Sequence, residues 1–272
     1  MTKEQREKML ASIRKFTLMD DMFFHTCLKD DKRGMQYILR IILKKPELVV
    51  LEMHTQEAVP SIYGRSVTFD VFVRDAGGRE YNVEVQQKND GADPRRARYH
   101  ASLLDTMNVE RRAEWKDLPP TIVIFITAHD VMKAGKPIYH VVRVVKELDH
   151  KRFEDESEII YVNATIQDDT PLGQLMQDFA CADPAKMHSK ILAERVKYFK
   201  TNEHGVRTMC NVMEEFTKDI REEGKAEGIA EKTIRTILNQ LRRHADYAII
   251  ASDNETSVDE VMRIAKENGL AY

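Results

Sequence analysis

Two short β-like runs joined by Ala76-Gly77-Gly78-Arg79 constrain this chain more than any other feature, because their phase brings two carboxylates together. Side chains alternate along a strand, so Val67, Phe69, Val71 and Val73 share one face of the first run, while Thr68, Asp70 and Phe72 share the other. In the second run the apolar face is Tyr81, Val83 and Val85, which leaves Asn82, Glu84, Gln86 and the following Lys88 opposite. If both apolar faces enter one core, odd residues oppose odd residues. Centring the hairpin on Gly77 then sets Asp70 opposite Glu84. An odd, glycine-containing loop is an ordinary hairpin connection, and directly opposed residues hold their Cβ atoms roughly 4.5–5.5 Å apart.

Opposed like charges destabilise a plain sheet. The pair is therefore solvated on the polar side of an edge hairpin, shares a proton, or is neutralised by a cation. Mg²⁺, or Mn²⁺ in its place, suits the third case, since Mg²⁺ is commonly held by one or two carboxylates with waters and substrate phosphate completing its shell.

The flanking sequence reads as an α/β arrangement. Gly34 to Lys45 has helical spacing, with Met35, Ile38, Leu39, Ile42 and Leu43 apolar, and stops before Pro46. Val49 to Met53 reads as a strand. Asp93-Pro94 opens a helix through Met107, with Asp as N-cap and Pro at the first helical position. Thr121 to Thr127 is a continuous apolar run, as in a strand buried on both faces. Ile138 to Val145 and Ile159 to Val162 read as two further strands.

Leu18-Met19-Asp20-Asp21-Met22-Phe23, the Asp70 strand, Tyr81-Asn82-Val83-Glu84-Val85-Gln86 and Arg96-Ala97-Arg98-Tyr99-His100 occur in this order with plausible gaps. Together they resemble the PD-(D/E)XK nuclease family transposases, the Rpn family of recombination-promoting nucleases, from about Phe16 to about Ala164. The resemblance implies a restriction-endonuclease-like PD-(D/E)XK core, a mixed sheet flanked by helices, with a helical C-terminal extension. It implies that Asp70 and Glu84 hold a metal ion, with the Val85 carbonyl as a further ligand, and that the reaction is metal-assisted hydrolysis of DNA phosphodiester bonds. In that family a Lys two residues after the Glu helps to position the attacking water. Gln86 stands there instead, as is often so in the Rpn-like branch; it orients water by hydrogen bonding but carries no charge. Lys88, on the same face, is the residue that would supply the charge. Asp21 is the candidate for an additional acid, with Glu52 weaker; Asp20 and Asp21 equally read as a helix N-cap pair.

With 272 residues and a formal net charge of −3, the chain is no globally basic nucleic-acid binder, so attraction to DNA must be local. Arg95, Arg96 and Arg98 are the candidate phosphate contacts, with Arg111, Arg112 and Lys116 further on; such runs also serve as solvated helix faces. The three cysteines lack CxxC spacing, which supports neither a disulfide framework nor a zinc site. No apolar N-terminal segment and no span of ~20 apolar residues is present, so a cytoplasmic protein without membrane contact is expected. His25, His54, His100 and His140 read as surface or half-buried residues rather than ligands.

The pattern loosens from Asp168 to Pro184 and then turns helical, dividing the chain into a nuclease-like domain (1–168) and a helical region (169–272). Met209, Met213, Phe216, Ile220, Ala230, Ile234, Ile237 and Leu241 keep one heptad register, a coiled-coil or oligomerisation segment that allows a homodimer. Glu223 and Glu227 on that seam, with Gly224 and Gly228, predict a helix that breaks, bends or changes partners within Glu222 to Ala230. Ser257 with Glu260 reads as an N-cap box before a last helix ending at Asn268-Gly269. Two function classes follow: a metal-dependent endonuclease, or a catalytically weak or inactive nucleic-acid- or protein-binding module on the same fold.

Overall fold

The computed structural model describes residues 3–59, 67–87, 89–108 and 114–272. The chain divides into two compact units, Met1–Val212 and Met213–Tyr272. The first is built on a six-stranded mixed sheet of order β1-β2-β3-β4-β8-β5. Its strands are β1 (Val50–Val59), β2 (Val67–Asp75), β3 (Glu80–Gln86), β4 (Thr121–Thr127), β5 (Ile138–Val141) and β8 (Ser157–Asn163); β6 (Val144–Val145) and β7 (Lys151–Arg152) form a separate small ribbon. The first three strands are an antiparallel meander. β3, β4 and β8 run parallel, and β5 closes the far edge antiparallel to β8.

The β2–β3 register is the one expected from alternation. Val71 pairs with Val83, Phe72 with Asn82, Val73 with Tyr81 and Arg74 with Glu80. Asp75 N–H donates to the Arg79 carbonyl (3.0 Å), which closes the ladder around Gly77. Gly78, at φ +78°, takes a left-handed turn conformation that side chains disfavour.

A parallel neighbour requires a crossover, supplied between β3 and β4 by helix α4 (Pro94–Asn108). Arg95 N–H donates to the Asp93 carboxylate (2.7 Å), in keeping with an Asp cap before Pro94. α4 packs Ala97, Ala101 and Leu104 with Val123, Phe125 and Tyr161 of the sheet. The alternate residues Ile122, Ile124, Ile126, Ile160 and Val162 are buried as well, so β4 is covered on both faces.

After helix α1 (Lys3–Lys15), helices α2 (Asp21–Leu28) and α3 (Lys32–Leu43) pack on β1, and α2 also reaches β3. α2 is gripped at both ends by α5 (Pro171–Ala180) and α6 (Lys190–Thr201). Met19 N–H donates to the Phe179 carbonyl (3.2 Å), and Arg195 donates to the carbonyls of Cys27 (2.6 Å) and Lys29 (2.7 Å). The buried Lys200 ammonium donates to the carbonyls of Arg14, Phe16 and Ala182 and lies 5.3 Å from the Phe23 ring. The compact unit therefore runs past the expected boundary at residue 168. α5 also occupies the stretch where the sequence pattern loosens; its Leu175, Met176 and Phe179 are buried in so short a helix that little periodicity accumulates.

Three further elements depart from expectation. β1 runs to Val59 rather than ending at Met53, because its ladder to β2, not its polar edge sequence, defines it. The strand expected over 138–145 ends at Val141, and the chain then enters the β6–β7 ribbon. α7 (Glu203–Leu241) continues through Gly224 and Gly228; at about 1 kcal/mol each against Ala, these glycines are carried by the helix-favouring Glu, Lys and Ala around them. The seam residues Ile220, Glu223, Glu227 and Ala230 lie outside the residues whose side chains are described. The helix does change surroundings: Met209 is buried in the first unit, whereas Ile237 and Leu241 join the core of the second.

The second unit packs the end of α7 with α8 (Tyr247–Asp253) and α9 (Val258–Glu267), burying Ile250, Val261, Ile264 and Ala265. Ser257 Oγ accepts from Glu260 N–H (3.1 Å), the expected cap. No helix among the described residues is long and apolar enough to cross a membrane.

Candidate metal centre

Asp70 and Glu84 lie one step beyond the last β2–β3 ladder pair, Val71 with Val83. There each strand's backbone bonds to the other strand's carboxylate. Asp70 N–H donates to Glu84 Oε1 (3.3 Å), and Val85 N–H donates to Asp70 Oδ2 (3.1 Å). Both acids are buried, Asp70 at 7% and Glu84 at 0% exposure, so the face carrying them is not the solvated side of a hairpin.

Two histidines partner the two acids. His25 of α2 brings Nε2 to 3.4 Å from Asp70 Oδ1 and to 3.3 Å from Asp21 Oδ1, one turn earlier on the same helix face. His100 of α4, itself buried, brings Nδ1 to 3.3 Å from Glu84 Oε1. Asn82 Nδ2 donates to Glu84 Oε1 (2.9 Å), and Arg96 Nη2 donates to Glu84 Oε2 (3.0 Å). Arg96 also donates through Nε to His100 Nε2 (3.3 Å) and through Nη1 to the Gly91 carbonyl (2.7 Å).

These surroundings push the two acids apart. Burial raises the Asp70 carboxyl to about 6; the His25 hydrogen bond opposes the rise and the Glu84 charge adds to it. Burial acts on Glu84 in the same sense, but His100, Asn82 and Arg96 outweigh it and hold that carboxyl below the usual range. Burial opposes protonation of His25, and the Asp70 hydrogen bond with the charges of Asp70, Asp21 and Glu84 overcomes it, leaving the imidazole above its usual range. Glu84 is thus a compensated carboxylate and Asp70 is not.

Among the described residues, one donor atom each from Asp21, His25 and Asp70 lie within 4.8 Å of one another. This triad is compatible with a metal-binding catalytic centre. A family model for PD-(D/E)XK nuclease family transposases matches residues 23–169, more than half of the chain. The chain belongs to that family. No curated protein and no solved structure matches it.

In this member of the family, the sequence-predicted residues divide clearly. Asp70 and Glu84 meet as expected, and Asp21 joins Asp70. Asp20 stands at the N-cap position of α2, yet its carboxylate accepts from Thr17 N–H (2.6 Å) and from Gln87 Nε2 (2.8 Å) rather than capping the helix. Glu52 does not join the site: it pairs with Arg74 (2.9 Å) on the β1–β2 ladder. Gln86 lays its amide against Gly91, with Gln86 Oε1 only 1.9 Å from where a Cβ on Gly91 would stand, so the end of the Gln86 side chain occupies the space beside the glycine. Lys88, Arg111 and Arg112 lie outside the described residues. Arg95 and Arg98 are exposed on α4, whereas Arg96, expected to face phosphate, turns inward to Glu84. Its inward turn follows from the buried charge it neutralises. His25 and His100, expected as surface or half-buried residues, both stand against the paired acids, and His100 is fully buried; the four-residue spacings Asp21/His25 and Arg96/His100 place each pair on one helix face.

Two outcomes follow. Arg96→Leu leaves Glu84 Oε2 without its donor, and chemical denaturation at pH 7 is expected to show a loss of about 1.5–3 kcal/mol, the range for a hydrogen bond to a charged group. Because the folded-state pKa of Glu84 is depressed, that loss shrinks as pH falls below its ordinary value of 4.5 and the carboxylate protonates. The Asp70 pKa is raised instead, so its ionisation opposes folding, and metal-free stability falls as pH rises from 3.8 through about 6. Metal-free Asp70→Asn is therefore expected to gain on the wild type in melting temperature between pH 4.5 and pH 7.5, and added Mn²⁺ to reverse that order at pH 7.5. A pH-independent difference would contradict the buried, uncompensated carboxylate.

Proposed function

We propose that this chain is a metal-dependent endonuclease that hydrolyses DNA phosphodiester bonds, related to recombination-promoting nucleases. The observation that carries the reading is the buried Asp70 carboxylate gathered with Asp21 and His25 and set beside Glu84, on the fold of a nuclease family. The donor set fits a divalent cation. Its oxygens are hard ligands of the kind Mg²⁺ and Mn²⁺ prefer, and Asp70 is a buried acid served by one peptide N–H and the His25 imidazole, which leave its carboxyl raised to about 6.

Asp70 and Asp21 would hold the ion, with Glu84 and the Val85 carbonyl as the further ligands the family pattern implies. A bound divalent ion lowers the pKa of water, polarises a scissile phosphate and offsets transition-state charge. The Val85 N–H fixes one Asp70 oxygen by a 3.1 Å hydrogen bond, which leaves the other turned to His25 and Asp21. Arg96, His100 and Asn82 fix the Glu84 carboxylate and keep it ionised. Gln86 stands where the family has Lys and offers an amide to orient water. The exposed Arg95 and Arg98 on α4 are available to DNA phosphates.

A second reading, a binding module with feeble or absent catalysis, draws on Gln86, whose neutral amide packs against Gly91. Nicking of supercoiled plasmid with Mg²⁺ or Mn²⁺ separates the two. Asp70→Asn is expected to lower the nicking rate by about a hundredfold or more, while equal rates would overturn the nuclease reading. Absence of cleavage by a folded wild type would favour the binding module.

A further inference from the structure

Resting on the metal-dependent reading above, we propose that His25 is itself a metal ligand through Nε2, and that it biases this centre toward a first-row transition ion such as Mn²⁺ over Mg²⁺. His25 Nε2 stands 3.3 Å from Asp21 Oδ1 and 3.4 Å from Asp70 Oδ1. Two ligands at about 2.1 Å in neighbouring octahedral positions are about 3.0 Å apart, so small side-chain shifts convert the present contacts into a shared coordination shell. The ring is only 12% exposed and is carried on a helix held at both ends by α5 and α6. Its direction is therefore built in.

The ring is also held by a residue of β1. Gln56 of β1 places its amide Nε2 at 2.6 Å from His25 Nδ1 and 3.2 Å from Nε2. Gln56 has φ +57°, a left-handed conformation unusual for a strand residue. It falls in a gap of the β1–β2 ladder, between Thr55 paired with Val71 and Glu57 paired with Phe69, the place that lines up with Asp70. Backbone strain of this kind persists where the surroundings over-determine it. Both residues at this gap direct their side chains to one imidazole.

The ends of a side-chain amide exchange by a simple flip. With its oxygen toward Nδ1, Gln56 accepts that proton and leaves the Nε2 lone pair facing Asp21 and Asp70. A ligating histidine usually donates its other ring N–H in this way, and loss of such a support weakens metal binding about 10–100-fold. Imidazole is a softer ligand than carboxylate and favours transition ions, whereas Mg²⁺ prefers oxygen alone. Gln56 is thus a positioning residue, and His25 the residue that sets the selectivity.

Calorimetric titration of the full-length protein with Mn²⁺ and, separately, with Mg²⁺ tests this at pH 8, with metal-induced melting shifts recorded alongside. His25→Ala is expected to weaken Mn²⁺ binding by about 10–100-fold and Mg²⁺ binding by much less, so the Mn²⁺/Mg²⁺ affinity ratio falls; Gln56→Leu is expected to lower the same ratio by about tenfold. Asp70→Asn should weaken both ions together. Should His25→Ala fail to fold by circular dichroism, His25→Asn carries the same expectation. Equal losses of both ions, or none, in a folded His25 variant would overturn the role of His25 while leaving the metal-dependent reading standing. A wild type that binds neither ion would overturn that reading as well.

Discussion

Where the β2–β3 ladder stops, a peptide N–H on each side turns from a backbone carbonyl to a carboxylate, Asp70 N–H to Glu84 and Val85 N–H to Asp70. Residues of two flanking helices meet this exchange. Two buried negative charges at the end of a hairpin oppose folding unless something offsets them. α4 supplies Arg96 and His100 to one of them, and α2 supplies His25 to the other. The helices that hold α2 in place, α5 and α6, belong to the same compact unit.

The two acids are unequally served. Glu84 has every oxygen engaged by Arg96, His100, Asn82 and Asp70 N–H, and it stays ionised. Asp70 has one peptide N–H and one imidazole, with Asp21 nearby adding negative charge. Such a site is poorly stabilised by the protein alone and gains from a cation that binds the folded state.

Much of this was legible in the residues. Strict alternation in Val67 to Val73 and Tyr81 to Gln86, with an odd glycine loop, left one register that buries both apolar faces, and it is the observed one. The β4 run and the caps of α4 and α9 were equally plain. The histidines were not, because the position of a helical residue four after an acid or an arginine says which face it shares but not which strand lies across from it. The Arg95–Arg98 run carries no mark in the sequence that separates Arg96, which pairs with the buried Glu84, from its exposed neighbours Arg95 and Arg98. β1 and α5 are faint in the sequence, because edge strands with polar faces and short buried helices leave weak periodicity. The unbroken α7 shows the reverse case, in which propensity warned of a break that neighbouring Glu, Lys and Ala make unnecessary.

Anomalous diffraction at the manganese edge, from crystals grown with saturating Mn²⁺, bears most directly on the claim that the Asp70 carboxylate awaits a cation. The account predicts one strong peak within bonding distance of Asp70, shared with Asp21 and His25. A well-ordered structure in which Asp70 remains paired with His25 alone, with no peak beside it, would contradict it.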